Sequence, residues 1–327
     1  MLTSRPSLAM FLLAVLAAVA APAGAQRLPF DRTIDVMRPA MLDIATIRGK
    51  VYVNVHEASQ IRIEGTVTVR ATSGFTTTAN PMELARRVAD RPRIEVAGNI
   101  VRLRPPIDSD ELRAVTVSYD VWVPRDTTVV VKTDSGEVNV DGVAGPVIVT
   151  TDSSAVTLNR LEGKTEVKTG SGDVKVDRAT GGLRVVTESS QMRLRALAGP
   201  LEARTQSGAV HASFAGAGSA EVETGSSAIQ LEGLSGRVMV RTQSGRVDLR
   251  GAPSGDWDVT TGSSLIEAAF EPSAKFTLEA TSSSSSVRVT GISVDGFTAK
   301  ERVSGKVGGG GPTVRLASRS GQIHIGH

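Results

Sequence analysis

Four histidines are the only imidazoles in this chain of 327 residues that could bind a metal ion or act as a general base. They are His56, His211, His324 and His327. His56 precedes Glu57 as in a His-Glu-x-x-His zinc site, but the second histidine of that motif is missing, so we interpret His56 as a surface residue of a strand. His324 and His327 lie three residues apart near the C-terminus, without a cluster of carboxylates. The histidines therefore predict no metal site.

The hydroxyl side chains are numerous, but their pattern is not that of a hydrolase. A serine hydrolase places its nucleophile in a Gly-x-Ser-x-Gly pentad between a strand and a helix, and the chain has no such pentad. Cysteine is absent, which excludes disulfides, thiolate metal sites and cysteine nucleophiles. Serine and threonine recur at regular intervals, which indicates turn hydrogen bonds and side-chain ladders. We predict no catalytic, cofactor-binding or metal-binding residue.

Charged residues on one outer sheet are the groups that a parallel β-helix enzyme, such as a polysaccharide lyase, would use. The candidate outer positions are Lys132, Lys168, Arg204, Arg241, Asp134 and Asp152. Sugar-binding grooves also present aromatic platforms, whereas only 3% of this chain is aromatic. Trp257 occupies a position equivalent to the inward Val147 and Leu183, so we expect it in the core. Charges that converge in one groove would favour the enzyme, and charges that alternate would not.

Composition and charge limit the partners of the chain. The 37 basic and 34 acidic residues leave a formal charge of +3, which excludes a strong electrostatic attraction to nucleic acid or an anionic membrane. With 40% hydrophobic residues, the chain can build a sizeable core. The 33 glycines are typical of strands and tight turns.

The elements that carry these side chains form a repeat. Tetrads of the form Thr-x-Ser-Gly or Thr-x-Ser-Ser begin at Thr133, Thr151, Thr169, Thr187, Thr205, Thr224, Thr242 and Thr261, with a degenerate copy near Thr281. They follow one another at intervals of 18–20 residues, and a last copy, Ser318 to Gly321, closes the chain. A fixed short period predicts a solenoid.

Each repeat alternates apolar and polar residues on both sides of the tetrad, which predicts a strand, a bend, a second strand and a turn. Stacked repeats would lie about 4.8 Å apart. We expect the glycine after the tetrad serine to adopt a positive φ where the chain reverses. Because Ser-Gly and Ser-Ser tetrads alternate, one rung could contain either 18 or 36 residues. A rung of 18 residues would place basic side chains next to neutral or acidic ones on neighbouring rungs. A rung of 36 residues would stack the basic side chains in one ladder. We favour 18 residues because like charges are then separated.

The flanking segments have separate roles. Residues 1–25 have a basic start, a short apolar stretch and the small residues Ala23, Gly24 and Ala25, which predict a cleaved signal peptide. We predict that residues 26–128 form a β-rich segment that caps the repeat domain, which comprises residues 129–327. This capping segment is predicted to contain one short helix that begins at Pro81, after Asn80, and extends to about Val88. The predicted strands are Ile34–Met37, Leu42–Ile47, Lys50–Val55, Gln60–Val69, Arg93–Val96, Ile100–Arg104 and Leu112–Val123. At the other end, residues 291–312 or a partner would cover the last rung.

Two adjoining segments resemble a known bacterial family. Residues 117–124 read VSYDVWVP, and residues 129–145 read VVVKTDSGEVNVDGVAG. This pattern, with the Gly-rich stretch and final strand pair of residues 308–325, resembles the toast-rack, or putative-adhesin, β-solenoid family, a domain of unknown function. The Ser-Ser tetrads depart from its usual Ser-Gly. The resemblance implies an exported or envelope-associated repeat protein, in some cases linked to envelope-stress systems, and carries over no catalytic residue.

Together these observations predict an all-β, single-stranded, β-helix-like solenoid of about ten rungs behind a capping segment. The expected function is a non-enzymatic, adhesin-like or scaffold role in the cell envelope. The expected location is periplasmic, cell-surface or extracellular. The expected partner is an envelope protein or a surface glycan, and open solenoid ends would also allow end-to-end self-association. The alternatives are a carbohydrate-active parallel β-helix enzyme and the sensor domain of an envelope-stress system.

Overall fold

A computed structural model describes residues 27–70 and 80–327 of the chain, so the predicted signal peptide lies outside the described residues. The N-terminal segment contains β1 (Arg27–Asp35), β2 (Met41–Arg48), β3 (Val51–His56), β4 (Gln60–Val69), α1 (Pro81–Asp90), β5 (Ile94–Ala97), β6 (Ile100–Leu103), α2 (Ser109–Ala114) and β7 (Val115–Pro124).

The remainder of the chain is built from short strands. They are β8 (Thr128–Ser135), β9 (Val138–Asp141), β10 (Val147–Thr151), β11 (Val156–Leu161), β12 (Thr165–Thr169), β13 (Val174–Ala179), β14 (Leu183–Thr187), β15 (Met192–Leu197), β16 (Leu201–Thr205), β17 (Val210–Phe214), β18 (Ala220–Thr224) and β19 (Ile229–Leu234). There follow β20 (Val238–Thr242), β21 (Val247–Gly251), β22 (Trp257–Thr261), β23 (Ile266–Phe270), β24 (Phe276–Ser282), β25 (Val287–Val289), β26 (Asp295–Thr298), β27 (Arg302–Val307), β28 (Thr313–Ser318) and β29 (Ile323–Gly326).

These strands form two long sheets. Sheet 1 has the order β1-β4-β7-β3-β9-β11-β13-β15-β17-β19-β21-β23-β29-β25, and sheet 2 has the order β26-β27-β24-β28-β22-β20-β18-β16-β14-β12-β10-β8-β2-β6-β5. One rung is a strand of sheet 2 followed by a strand of sheet 1, and ten rungs extend from β8–β9 to β24–β25. The predicted β-solenoid is therefore confirmed.

The register of the strands decides between the two rung lengths. Val147 of β10 lies opposite Thr165 of β12, and the two strands are parallel. The offset is one 18-residue repeat, so the 18-residue rung is confirmed. On the outer face, Lys168 consequently lies between Thr150 and Val186, as the separation of like charges predicts.

The core is one continuous cluster of inward Val, Leu, Ile and Ala side chains from both sheets. Trp257 is only 1% exposed, and its indole N–H donates to the carbonyl of Gly236 at 3.1 Å, which confirms its predicted core position. A second buried row, which we call the threonine column, contains Thr46, Thr133, Thr151, Thr169, Thr187, Thr205, Thr224, Thr242, Thr261, Ser282 and Ser318. Some of its hydroxyls close the bends, as Thr205 Oγ1 does by accepting the amide of Gly208 at 3.0 Å. Others, such as those of Thr151 and Thr224, have no hydrogen-bond partner within the described residues.

The expected positive φ of the tetrad glycines is wrong. Gly172, Gly208 and Gly245 are absent from the residues with left-handed backbone. These glycines are required by close approach instead, because a Cβ on Gly172 would lie 1.6 Å from the carbonyl oxygen of Ser154 on the preceding rung. Serine at the fourth position of one rung therefore alternates with glycine on the next.

The N-terminal segment continues both sheets. β2 is parallel to β8 and β3 is parallel to β9, and Thr46 lies opposite Thr133 in the threonine column. α1 begins as predicted, with the side chain of Asn80 accepting the amide of Met82 at 2.9 Å, and it buries Leu84 against the sheet. A second helix, α2, was not predicted. The prediction of a strand from Leu112 is wrong because Asp108 caps a short helix there.

The C-terminal strands are not stacked in chain order. β28 lies between β22 and β24, and β29 lies between β23 and β25, so the last repeat of the chain is the next-to-last rung in space. The excursion at residues 291–312 supplies β26 and β27, and β27 pairs antiparallel with β24. This excursion therefore covers the sheet 2 edge of the last rung, and β25 is the sheet 1 edge.

Candidate functional site

The outer face of sheet 2 has a ladder of alternating charges that pair with one another. Arg184 on β14 contacts Glu202 on β16 and lies 4.0 Å from Glu166 on β12. Arg204 in turn lies 3.1 Å from Glu202 and 3.0 Å from Glu221 on β18. Arg204 and Glu202 lie on the same strand, and the other pairs link successive rungs along the solenoid axis.

Electrostatics hold one member of this ladder, Arg204, in its charged form. The hydrogen bond to Glu221, with the negative charges of Glu202 and Glu223 nearby, raises the pKa of Arg204. An arginine held in this way is a fixed cation and does not act as a proton donor. The ladder therefore provides positional charge rather than acid–base chemistry.

A depression of about 590 Å³, which we call the axial groove, lies beside the ladder. It is lined by Lys164, Thr165, Gly181, Gly182, Leu183, Arg184, Pro200, Leu201, Glu202, Ser219, Ala220, Glu221, Arg237 and Met239. These residues recur at the starts of five successive strands of sheet 2, so the groove extends along the axis for roughly 19 Å at about 4.8 Å per strand. Lys164 and Arg237 are exposed at its two ends, and neither has an ion-pair partner within the described part of the chain.

The bends form a second repeated surface, the serine edge. Its exposed members are Ser153, Ser171, Ser189, Ser207, Ser226, Ser244, Ser263 and Ser320. The amide of each bonds back to the preceding rung, as Ser207 N does to the carbonyl of Glu188 at 3.1 Å. The backbone thus holds the serine side chains in a regular row whose spacing is that of the strands.

Sheet 1 has a depression of about 380 Å³ that includes Arg193, Arg195 and His211. His211 Nδ1 lies 3.1 Å from Gln230 Oε1, and Gln230 Nε2 donates to Glu232 at 2.9 Å. His211 is therefore held in a polar chain on the sheet surface.

The residues that the sequence analysis considered as candidates for chemistry lie apart from one another in the structure. The four basic candidates, Lys132, Lys168, Arg204 and Arg241, occupy every second rung of sheet 2. Asp134 and Asp152 follow the threonine column in the bends, on a different surface. The histidines are separate as well: His56 lies 2.7 Å from the carbonyl of Gln60. His327 lies 3.1 Å from that of Phe270.

Among residues 27–70 and 80–327, no group of three or more His, Asp or Glu side chains could hold a metal ion. The helices in these ranges are too short or too polar to cross a membrane.

Sequence reasoning missed Arg184, Glu202 and the two basic ends of the axial groove. A signal was present, since Glu166, Arg184 and Glu202 follow one another at 18-residue intervals with alternating sign. These residues lie at an outward position two residues before the one that precedes each tetrad threonine, where the predicted basic candidates lie.

The profile of one protein family covers all ten rungs. The Toastrack DUF4097 profile matches residues 118–326. The chain belongs to this family. The matched region begins within β7 and includes all ten rungs, the axial groove and the serine edge, so the Toastrack repeat carries each of these surfaces.

Two solved structures are similar to this Toastrack chain. One is a candidate cell adhesion protein from Clostridium sporogenes, with 11% identity and a TM-score of 0.21, covering 91% of this chain and 99% of the other. The second is a candidate adhesin from Bacteroides fragilis, with 14% identity and a TM-score of 0.31, covering 91% of this chain and 96% of the other. No curated protein matches the chain. At these values the likeness gives no information on what this chain binds.

Proposed function

We propose that this Toastrack protein is an exported, non-enzymatic repeat protein with an adhesin-like or scaffold role in the bacterial cell envelope. The observation that carries the proposal is the charge ladder of sheet 2. Its glutamates are engaged in ion pairs: Glu202 lies 3.1 Å, Glu221 3.0 Å and Glu223 3.8 Å from Arg204. These carboxylates are neutralised by a fixed cation, which does not favour a catalytic role for them. A β-helix enzyme requires several carboxylates and a base around one bond of its substrate.

The mechanism is binding through many weak contacts on a repeated surface. An extended partner that lies in the axial groove would meet similar polar groups every ~4.8 Å. Each contact is weak, but contacts that form together on one rigid surface act as linked sites and raise the overall affinity. The unpaired Lys164 and Arg237 would attach to acidic or hydroxyl groups at the two ends of the groove.

The partner is an envelope protein or a surface glycan. The predicted leader at residues 1–25 supports export, which places the protein in the periplasm, at the cell surface or outside the cell. The axial groove has no aromatic lining residue among those described. A glycan would therefore be held by hydrogen bonds to hydroxyls and charges rather than by ring stacking.

The test is incubation of the purified chain with a broad glycan array, with bound protein and released sugar measured on the same spots. Binding without release supports the proposal and identifies the glycan class. Released sugar would overturn it in favour of an enzyme. If the array is silent, crosslinking in isolated envelopes must yield a defined envelope protein, and silence in both experiments would contradict the proposal.

A further inference from the structure

A cavity of about 380 Å³ lies in the N-terminal segment, away from the axial groove. Its lining residues are Phe30, Arg87, Val88, Arg91, Pro92, Arg93, Arg104, Pro106, Ile107, Asp108, Glu111, Val117 and Tyr119. They come from β1, the end of α1, β7 and the segment around α2. We call it the arginine cavity. Its volume is in the range of small-ligand pockets.

The floor of the arginine cavity is apolar. Phe30 is 7% exposed and Val117 is 6% exposed. The ring of Phe30 meets that of Tyr119 edge to face, with centroids 6.4 Å apart. At the mouth, Ile107 leaves 77% of its surface exposed. A ligand body of carbon would therefore find buried apolar contacts inside and a further one at the entrance.

The polar groups that reach the cavity include an unused donor. Tyr119 is 3% exposed, yet its hydroxyl forms no hydrogen bond with any residue that the structure describes. Burial raises the pKa of Tyr119, so the phenol stays neutral and keeps its proton. A phenol that has no protein partner can donate to an acceptor on a ligand.

Four arginines surround the cavity, and three of them have carboxylate partners. Arg104 is bound by Asp43, with Nη1 to Oδ1 at 3.0 Å. Arg93 lies 3.2 Å from Glu95. Arg87 lies 3.4 Å from Glu111.

The two carboxylates of the lining are also committed. Asp108 caps α2 by accepting the amide of Asp110 at 2.7 Å, and Glu111 pairs with Arg87. Arg91 lines the cavity, and within the described ranges its side chain has no partner. The cavity therefore offers one free guanidinium and one free phenol, both donors, above an apolar floor.

We propose that the arginine cavity binds a small amphiphilic anion, an apolar acyl or aryl body that carries a carboxylate or a phosphate monoester. The anionic head would accept from Arg91 and from the Tyr119 hydroxyl, because a guanidinium and a phenol both donate. The apolar body would pack on Phe30 and Val117. This site is independent of the proposed role of the axial groove.

The test is isothermal titration of the purified chain with decanoate and decyl phosphate as monomers, and with decanol as the neutral control. We expect each anion to bind at a single site and decanol to bind at least about tenfold more weakly, since it lacks the charge-assisted hydrogen bonds. The absence of saturable binding by both anions would overturn the proposal.

Variants show where the anions bind. Arg91→Ala should weaken decanoate binding about tenfold, and Tyr119→Phe, which keeps the ring, should weaken it about threefold. Arg86→Ala is the matched control, because Arg86 is exposed on α1, of which Arg91 is the C-terminal cap, and does not line the cavity. Equal weakening by Arg86→Ala, or no effect of Arg91→Ala, would contradict the site. Unchanged circular dichroism of all three variants would exclude unfolding as the cause.

Vesicles test whether the anionic head group belongs to a free small molecule or to a lipid in a bilayer. Sedimentation with phosphatidylglycerol vesicles, compared with phosphatidylcholine vesicles, measures binding to a bilayer surface. We expect free decanoate to bind and Arg91→Ala to leave vesicle sedimentation unchanged. Loss of vesicle binding in Arg91→Ala, together with no binding of free decanoate, would overturn the proposal in favour of a membrane headgroup.

Discussion

The alternation of glycine and serine at the fourth tetrad position leads to a prediction with a built-in control. A Cβ on Gly208 would lie 1.7 Å from the carbonyl oxygen of Ser190 on the preceding rung. The rungs would have to separate locally by more than an ångström. Gly208→Ala should therefore strain or break the bonds that join them, such as Ser207 N to Glu188 O at 3.1 Å.

The magnitude follows from the bonds at this bend. Two inter-rung hydrogen bonds to Glu188 O are at risk, from Gln206 N and Ser207 N, each at 3.1 Å. At about 1 kcal/mol net for each bond, and with a further penalty for buried groups left unpaired, Gly208→Ala should cost about 3 kcal/mol.

The control is Ser190→Ala, at the equivalent position of the preceding rung. Ser190 is 2% exposed, and its hydroxyl has no hydrogen-bond partner within the described residues, so its loss should change stability by less than ~0.5 kcal/mol or slightly increase it. Urea unfolding, followed by circular dichroism and by the fluorescence of the two tryptophans, Trp122 and Trp257, measures both variants. Equal midpoints would refute the close-approach explanation of the alternating tetrads.

Two further predictions concern buried and paired charges. Val240 is fully buried, so Val240→Asp should destabilise the repeat region by several kcal/mol. Arg241 is exposed, so Arg241→Ala should change the stability by less than ~0.5 kcal/mol. Equal melting temperatures of the two variants would show that the assigned inward and outward faces are wrong. The hydrogen bond from Lys50 lowers the pKa of Glu137, so the folded chain should lose a stabilising contribution as the pH falls below the usual glutamate range through that lowered pKa. Glu137→Gln should remove this acid-side loss at only a small cost at pH 7, because the pair is partly exposed, and an unchanged acid limb of the stability curve in Glu137→Gln would contradict this assignment.

The repeat part of the fold could be predicted because the same physical pattern occurs many times. Alternation around each tetrad defines two strands, and the 18-residue interval places equivalent residues such as Val149 and Val167 in register. Thr46 belongs to the same column, but its bend continues as Ile47, Arg48 and Gly49 without the tetrad serine. A single degenerate copy does not reveal a period, and β2 and β3 were therefore predicted only as separate strands.

Stacking order could not be read from the pattern. Every rung presents similar apolar edges. The local sequence therefore does not show whether β28–β29 or β24–β25 stacks directly on β22–β23.

Backbone conformation within the rungs could not be predicted either. Arg160 and Arg178 adopt φ of 51° and 60° at a position where another rung has Gly142, and arginine carries no signal for a left-handed backbone.

The candidate surfaces were predictable to different extents. The outward direction of Arg184 and Glu202 follows from alternation in their strands, but their pairing depends on which rungs are neighbours. The arginine cavity combines Phe30, Arg91 and Tyr119 from distant parts of the chain. No local motif joins them, because only the arrangement of α1, α2 and β7 in space brings them together.

The most direct test of the central claim is the binding of the purified chain to isolated bacterial cell envelopes, with released soluble sugar measured in the same samples. Lys164→Ala combined with Arg237→Ala removes both basic ends of the axial groove, and Arg241→Ala is the control on the same sheet. We predict saturable binding that the double variant weakens at least about tenfold, no effect of the control, and no released sugar. Release of sugar, or binding that is unchanged in the double variant, would contradict the account.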